Sequence, residues 1–193
     1  PVVCDVASEY RYRHPVTSAY STALAISQSG ESLDTLMAMR HAANSGLHTI
    51  GLVNVPGSTI ARETNFVLPT RAGPEIGVAS TKAFTAQLTV LLSFAVALAK
   101  AKGSINAEHA TQIHQQIQGL PGLVGRALTR FDPIRPIAHA LSQARSALYL
   151  GRGTLYPLAL EGAFKLKELS YIHAEGFASG EMKHGPIALI EEG

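Results

Sequence analysis

The chain has 193 residues, of which 46% are hydrophobic and 16% charged, and its formal net charge is +2. This composition is typical of a globular protein and excludes an intrinsically disordered one. The small charge, with no run of lysine and arginine, argues against a nucleic-acid partner. The single cysteine, Cys4, excludes an internal disulfide and fits a reducing, cytoplasmic compartment.

Apolar runs and helical periodicities alternate along the first hundred residues. This alternation predicts an α/β fold in which helices flank a parallel sheet. The predicted strands are Val2–Cys4, Thr22–Ile26, Thr49–Val53 and Phe66–Leu68, and the predicted helices are 31–45 and 80–102. A further strand-like run, Ile187–Ile190, lies next to the last residues. Because natural domains seldom begin and stop on core strands, we expect the chain to be a fragment.

The longest apolar stretch is Val90–Ala99, which has ten residues and includes Ser93. A helix that spans a membrane needs about 20 predominantly apolar residues. The stretch therefore predicts a helix buried in the protein, and no membrane partner. No signal peptide is visible.

The segment between Gly103 and Ser146 is more polar and is interrupted by Pro121, Pro133 and Pro136. We interpret it as a connector in which these prolines separate short helices. After it, a strand at 147–150, the turn 151–153 and a helix at 156–173 repeat the earlier order. The sequence therefore predicts two α/β units, with a first domain at 1–103, a connector at 104–146 and the start of a second domain at 147–193.

The turn that follows the strand Thr22–Ile26 contains three serines and a glycine in six residues, Ser27-Gln28-Ser29-Gly30-Glu31-Ser32. The first turn of the following helix leaves backbone N–H groups unpaired, and serine hydroxyls add hydrogen-bond donors without blocking access. Such a turn at the carboxyl end of a strand favours phosphate binding. The alternative is that Ser29 or Ser32 is an ordinary helix N-cap.

A second loop, residues 73–82, also leads into a helix and contains Gly73 and Gly77. Its glycines leave backbone groups accessible to a ligand, and Ser80 is placed to cap the helix. The pattern alone leaves both interpretations open.

Three charged residues of the late helix, Glu161, Lys165 and Glu168, fall within about 60° of one another. They are either ordinary helical ion pairs or an acid/base cluster with shifted pKa values. His184 precedes a Gly-Pro turn, so we expect it to be exposed, and its ordinary pKa suits proton transfer. No histidine pair has the spacing of a zinc protease, so we predict no metal.

These motifs together resemble the isomerase half of the glutamine–fructose-6-phosphate aminotransferases, which are glucosamine-6-phosphate synthases. The resemblance is carried by the turn 27–32, the loop 75–82, the helix segment 160–168 and the run from His173-Ala174-Glu175 to Lys183-His184-Gly185-Pro186. It extends from Ser8-Glu9-Tyr10-Arg11-Tyr12-Arg13 to the last residue. The serine turn alone marks only the broad sugar-isomerase (SIS) domain family, whereas the late helix is far more specific.

The resemblance implies two tandem SIS domains, both incomplete here, that bind a sugar phosphate and work as a homodimer without a cofactor. It implies phosphate contacts by four residues of the turn: Ser27, Gln28, Ser29 and Ser32. Val78 and Ser80 would border the sugar. Glu168 would move the proton between C1 and C2 of fructose 6-phosphate with help from Lys165. His184 would open the sugar ring in the partner subunit's site.

The family also has parts that we expect to lie outside this chain. They are a glutaminase domain with a leading cysteine nucleophile, the first strand and first serine turn of the first SIS domain with part of the phosphate cradle, and a tail with a Schiff-base lysine. We interpret Cys4 as a packing residue of a strand and expect the chain by itself to be inactive. Two alternatives stay open: a non-catalytic phosphosugar-binding module and a fructosamine-6-phosphate deglycase.

Overall fold

The computed structural model describes residues 2–18 and 21–190. The chain divides into two compact units, Pro1–Gln118 and Gly119–Gly193. The boundary between them falls inside a helix. The division into 1–103, 104–146 and 147–193 stays a prediction.

A parallel sheet organises the first unit. Its strands are β1 (Thr22–Ser27), β2 (His48–Val53) and β3 (Phe66–Pro69), in the order β1-β2-β3. The helices are α1 (Ala7–Tyr10), α2 (Leu33–Asn44), α3 (Thr59–Glu63), α4 (Lys82–Ala101) and α5 (Ala107–Leu128), the last of which crosses into the second unit.

The core of the first unit joins the central strand to two helices. Leu36 and Met39 of α2 cluster with Val53 of β2 and Ile60 of α3, and all four are buried. Burial of such a side chain contributes about 1.5–3 kcal/mol. The end of β2 is therefore a well-anchored position in this unit.

The second unit contains a β-α-β arrangement. The strand β4 (Ser146–Gly151) pairs in parallel with β5 (His173–Ala178), and α7 (Tyr156–Ser170) packs on both. The helix α6 (Ile134–Leu141) precedes β4, and short 3-10 turns lie at Gly153–Leu155, Glu181–His184 and Pro186–Leu189.

Two glycines allow α7 to approach its sheet closely. A Cβ atom on Gly176 of β5 would lie 2.7 Å from the Cα of Leu160, and one on Gly162 of α7 would lie 2.8 Å from the ring of Tyr149. These distances are shorter than those of real Cβ contacts. The neighbours of Gly176 are backbone atoms, so the packing of α7 on β5 requires glycine there, whereas a side chain at position 162 would force the Tyr149 ring to move.

The predicted fold class is confirmed, since the strands of both sheets are parallel and helices pack on them. The strands predicted at 22–26, 49–53, 66–68 and 147–150 and the helices predicted at 31–45 and 80–102 are present, each within two residues of its predicted bounds.

Both strand predictions near the chain ends were wrong. Val2, Val3 and Cys4 are exposed and lie in no strand, because no described segment pairs with them. The packing role predicted for Cys4 is therefore wrong as well. The run 187–190 is largely a 3-10 turn rather than a strand.

Two helix predictions were also wrong. Pro121 lies inside α5 and Pro136 lies in the first turn of α6, so neither proline separates two helices. A proline removes one N–H from the helical ladder, and on this exposed stretch water can hydrate the carbonyl left unpaired. The late helix ends at Ser170 rather than His173, because Tyr171 adopts a left-handed conformation with φ 62°. His173 instead begins β5, which the sequence analysis missed.

The helix α4 contradicts the prediction that Val90–Ala99 is buried. Ala83 is its buried residue, and Leu88, Leu92 and Leu98 are each nearly half exposed. By length and composition, α4 is the one helix of the described chain that could cross a membrane, with a mean hydropathy of 1.6 over a window of which 6% is buried. Apolar composition predicted this helix but not its surroundings.

Candidate functional site

The carboxyl ends of the three strands of the first unit meet at one edge of the sheet. Ser27, the last residue of β1, is paired with Val53 of β2, which is paired with Pro69 of β3. The serine turn 27–32 follows β1, and the loop 70–81 follows β3. Parallel α/β sheets bind ligands at this edge.

The serine turn is organised by its own side chains. The buried Ser27 Oγ accepts a hydrogen bond from the Gly30 N–H at 3.0 Å and lies 3.1 Å from the Ser32 Oγ. The Glu31 N–H donates to the Ser29 Oγ at 3.2 Å. Ser32 occupies the N-cap position of α2, but its side chain makes no capping bond. The capping interpretation therefore does not describe Ser32, whose exposed hydroxyl lies at the helix N-terminus.

The turn is also fastened to α3. The Glu31 carboxylate accepts the Thr59 N–H at 2.7 Å, and the Gly30 carbonyl accepts the Ile60 N–H at 3.0 Å. These bonds occupy the first N–H groups of α3. The Ser58 hydroxyl, at the N-cap position, is left buried with no described hydrogen-bond partner.

The charge of Glu31 fits this arrangement. The backbone N–H of Thr59 holds the pKa of the Glu31 carboxyl below its usual range, and the nearby Arg62 acts in the same direction. No local sequence pattern indicates this contact, which joins residues 28 positions apart. The negative charge of Glu31 therefore stabilises the N-terminus of α3.

The loop that carries Val78 and Ser80 is held near both of its ends. Asn54 accepts hydrogen bonds from Thr70 and Ala72 and donates one to the Gly73 carbonyl. At the other end, the Glu75 carboxylate accepts hydrogen bonds from the Thr81 side chain and N–H and from the Ala83 N–H: Thr81 Oγ1 at 3.0 Å, Thr81 N at 3.3 Å and Ala83 N at 3.0 Å.

Glu75, rather than Ser80, therefore caps α4. The Ala83 N–H, followed by Thr81, lowers the pKa of the Glu75 carboxyl. The capping interpretation of Ser80 was wrong, and its hydroxyl is buried with no described hydrogen-bond partner. Val78 is 90% exposed. A buried hydroxyl and an exposed side chain thus lie two residues apart on the loop.

The charged residues of α7 lie together in the second unit. The Lys165 Nζ is 2.7 Å from the Glu161 Oε1, and these side chains are only 22% and 28% exposed. Neighbouring apolar side chains on the same helix are more exposed, with Leu158 at 46% and Phe164 at 51%. The ion pair of Glu161 and Lys165 is therefore better shielded from solvent than these two apolar side chains.

Glu168 is half-buried on α7, within one turn of Lys165. His184 ends the 3-10 turn that follows β5 and is exposed, as predicted. On β5, His173 Nε2 lies 3.5 Å from Glu175 Oε1. The structure therefore groups the predicted phosphate and sugar residues at one edge of the first unit, and Glu161, Lys165 and Glu168 on one helix of the second.

Three residues that organise this edge were missed by sequence reasoning: Asn54, Ser58 and Glu75. An asparagine directly after an apolar strand is a usable signal, because its amide can both donate to and accept from neighbouring loops. Glu75 and Ser58 offered no comparable pattern.

A family model described as SIS domain matches residues 1–97 and 140–193. These segments make up more than half of the chain, and the chain belongs to the SIS-domain family. The match falls on the segments that contain the serine turn, the loop 73–82 and α7.

The chain is similar over 192 residues to two curated glutamine–fructose-6-phosphate aminotransferases (isomerizing). It is 57% identical to that of Bradyrhizobium diazoefficiens and 54% identical to that of Brucella abortus. Each alignment covers 100% of this chain and 32% of the relative, so the chain spans about a third of the length of these relatives.

Two solved structures resemble the chain. The C-terminal domain of glucosamine-fructose-6-phosphate aminotransferase from Francisella tularensis has a TM-score of 0.94 and 44% identity, over 97% of this chain and 53% of that one. A protein from Salmonella typhimurium that is described as sugar binding has a TM-score of 0.75 and 26% identity, over 90% of this chain and 52% of that one.

Proposed function

We propose that this chain is the phosphosugar-binding isomerase part of a glutamine–fructose-6-phosphate aminotransferase. The intact enzyme would make glucosamine 6-phosphate from fructose 6-phosphate and glutamine. The observation that carries this proposal is the 57% identity to such an enzyme over 192 residues. The chain by itself would not complete the reaction, because it spans 32% of that relative.

The serine turn is the proposed phosphate site. The hydroxyls of Ser29 and Ser32, the Gln28 amide and the first N–H groups of α2 would hold the phosphate, and Ser27 would fix the turn while contributing its hydroxyl. The partial positive charge at the helix N-terminus favours an anion there. Support comes from the internal bonds of Ser27 and from the unused capping position of Ser32.

The sugar would lie along the loop after β3, bordered by Val78 and Ser80. A buried hydroxyl with no described partner, as at Ser80, is costly unless a ligand or water pairs with it. This unpaired group is the support for a polar ligand beside Ser80.

The acid/base chemistry is assigned to the second unit. Glu168 would carry the proton between C1 and C2 of the sugar, because a carboxylate beside an acidic C–H group is an effective general base. Lys165, held by Glu161 at 2.7 Å, would assist it. His184, exposed on its turn, would open the sugar ring in the partner subunit of a homodimer.

We propose the remaining properties because the motifs of this chain resemble the isomerase half of these enzymes. The intact protein would contain tandem SIS domains, act in the cytoplasm as a homodimer and need no metal or cofactor in this part. It would bind neither nucleic acid nor membrane.

The test uses the full-length protein that contains this chain, with glutamine and fructose 6-phosphate. The wild type should form glucosamine 6-phosphate, and Glu168→Gln should lower kcat by about 10²–10⁴-fold while leaving glucosamine 6-phosphate binding within about 3-fold of the wild type. Glu108→Gln, an exposed charge on α5, is the control. A wild type that forms no product would contradict the proposal.

A non-catalytic phosphosugar-binding module is the second candidate. It is favoured by the similarity to the sugar binding protein from Salmonella typhimurium. The serine turn suits both functions equally. This candidate predicts phosphosugar binding without turnover. A sensor needs no proton shuttle, so Glu168→Gln would then leave phosphosugar binding unchanged, and neither the variant nor the wild type would form product.

A further inference from the structure

Asn54, the first residue after β2, holds the loops on both sides of it. Its backbone N–H donates to the Gln28 carbonyl in the serine turn at 3.1 Å. Its side-chain Nδ2 donates to the Gly73 carbonyl at 2.7 Å, and its Oδ1 accepts from the Thr70 hydroxyl at 2.9 Å and from the Ala72 N–H at 2.8 Å. One residue therefore fastens the loop after β1 and the loop after β3.

The position of Asn54 explains this reach. The strand β2 is the centre of the sheet, so the residue that follows it lies between the ends of β1 and β3. Val53, directly before it, is fully buried in the core. Asn54 is thus attached to a rigid element while it contacts two loops that have no strand pairing of their own.

The side-chain amide is the group that this contact requires. The Ala72 N–H can only donate and the Gly73 carbonyl can only accept, which fixes the orientation of the amide. Aspartate could accept from Thr70 and Ala72 but would set a carboxylate against the Gly73 carbonyl. Alanine would make none of these side-chain bonds.

We propose that Asn54 is a positioning residue that sets the spacing between the phosphate turn and the sugar-bordering loop. This inference rests on the proposed function, in which residues 27–32 hold the phosphate and Val78 and Ser80 border the sugar. A phosphosugar carries both groups at a fixed separation, so both contacts form only if the two loops keep their distance. Loosening one loop costs binding energy, because the ligand must then order it.

The test compares Asn54→Ala and Asn54→Asp with a matched control in the full-length protein. The control is Asn65→Ala, since the Asn65 Oδ1 accepts from Thr49 N at 2.8 Å and from Thr49 Oγ1 at 3.1 Å. Asn65 lies just before β3 and Thr49 near the start of β2, so this amide network joins the same strands at the opposite edge of the sheet.

Both Asn54 variants should raise the KM for fructose 6-phosphate about 10-fold and change kcat by less than about 3-fold. Asn54→Ala and Asn65→Ala should lower the Tm by similar amounts, because each removes a side-chain amide network. Asn65→Ala should nevertheless leave the KM for fructose 6-phosphate within about 2-fold of the wild type. If the Asn54 variants do not fold, Thr70→Val, which removes one bond to Oδ1 at constant volume, should still raise KM about 3-fold.

A second readout needs no ligand. Hydrogen exchange of the amides in 70–82 should be faster in the Asn54 variants than in the wild type and unchanged in Asn65→Ala. Equal KM values for the Asn54 and Asn65 variants, in an active wild-type enzyme, would overturn the positioning role. A wild type that neither binds nor converts the sugar would instead overturn the proposed function, and the positioning role with it.

Discussion

Gly30 shows how closely the serine turn is fitted to its neighbours. The residue has a left-handed φ of 68°, and a Cβ atom on it would lie 2.0 Å from the Ser58 Oγ and 2.5 Å from the Ser58 Cβ. Any side chain here would therefore meet two costs, backbone strain and a steric clash. Ser58 fills the space that glycine leaves.

Gly30→Ala should destabilise the protein by about 2–4 kcal/mol, of which about 1 kcal/mol is backbone strain and the rest overpacking. Gly46→Ala is the matched control, because Gly46 has φ 84° but a Cβ atom added to it would meet nothing within 4 Å. In urea unfolding, the control should lose only the roughly 1 kcal/mol of stability that corresponds to the backbone strain. Adding Ser58→Gly to Gly30→Ala should recover part of the loss, and equal losses in the two alanine variants would contradict this account.

At the residue scale, the sequence predicted which residues form the serine turn but not the hydrogen bonds that hold the turn in place. Three serines and a glycine after a strand are a local pattern, so Ser27, Ser29, Gly30 and Ser32 could be recognised from spacing alone. The bonds from Glu31 to Thr59 and from Asn54 to Gln28 join distant segments, and no local pattern encodes them.

Among the elements, β5 is the clearest failure of sequence reasoning. Its sequence, His173-Ala174-Glu175-Gly176-Phe177-Ala178, has no β-branched residue and contains a glycine, so propensity argued against a strand. It forms because Ala174 is buried and Gly176 lets the strand lie directly against the backbone of α7. Strand propensity reflects how side chains pack on a sheet. The packing of β5 depends on α7, which a local sequence pattern does not show.

Gly176→Ala tests that account. The added Cβ would meet Leu160 Cα and N and the Ala159 carbonyl carbon at 2.7–2.9 Å, and these backbone atoms cannot rotate away. We expect a loss of about 1–3 kcal/mol. Under the proposed function, turnover by the full-length protein should also fall, because α7 carries the proposed catalytic residues Glu168 and Lys165. Gly180→Ala, with nothing within 4 Å, should change stability by less than about 0.5 kcal/mol. Thermal unfolding of both variants measures the difference.

At the scale of the whole molecule, the sequence predicted the architecture well, since alternation of strands and helices constrains a parallel sheet strongly. It did less well with exposure. The helix α4 is apolar enough to be expected in a core, yet Leu92 and Leu98 are nearly half exposed. An apolar composition shows that burying the helix is favourable. It does not show which surface, if any, covers the helix.

Three glutamates of the first unit give the molecule a common response to acid. The Thr59 N–H lowers the pKa of Glu31, the Arg40 guanidinium lowers that of Glu63, and the Ala83 N–H lowers that of Glu75. A carboxyl with a lowered pKa in the folded state contributes stability that is fully present above its unfolded pKa of about 4.3. That contribution is lost as pH falls through the folded-state pKa.

The first unit should therefore become less stable as the pH falls from about 5 to about 3. The triple variant Glu31→Gln, Glu63→Gln and Glu75→Gln should lose less over the same interval, because glutamine does not titrate and can still accept a hydrogen bond. Urea unfolding at each pH, with hydrogen exchange of the β1–β3 amides, measures both slopes. Salt should reduce the part that comes from the exposed pair of Arg40 and Glu63. Parallel pH profiles for wild type and triple variant would show that these three contacts do not set the acid response.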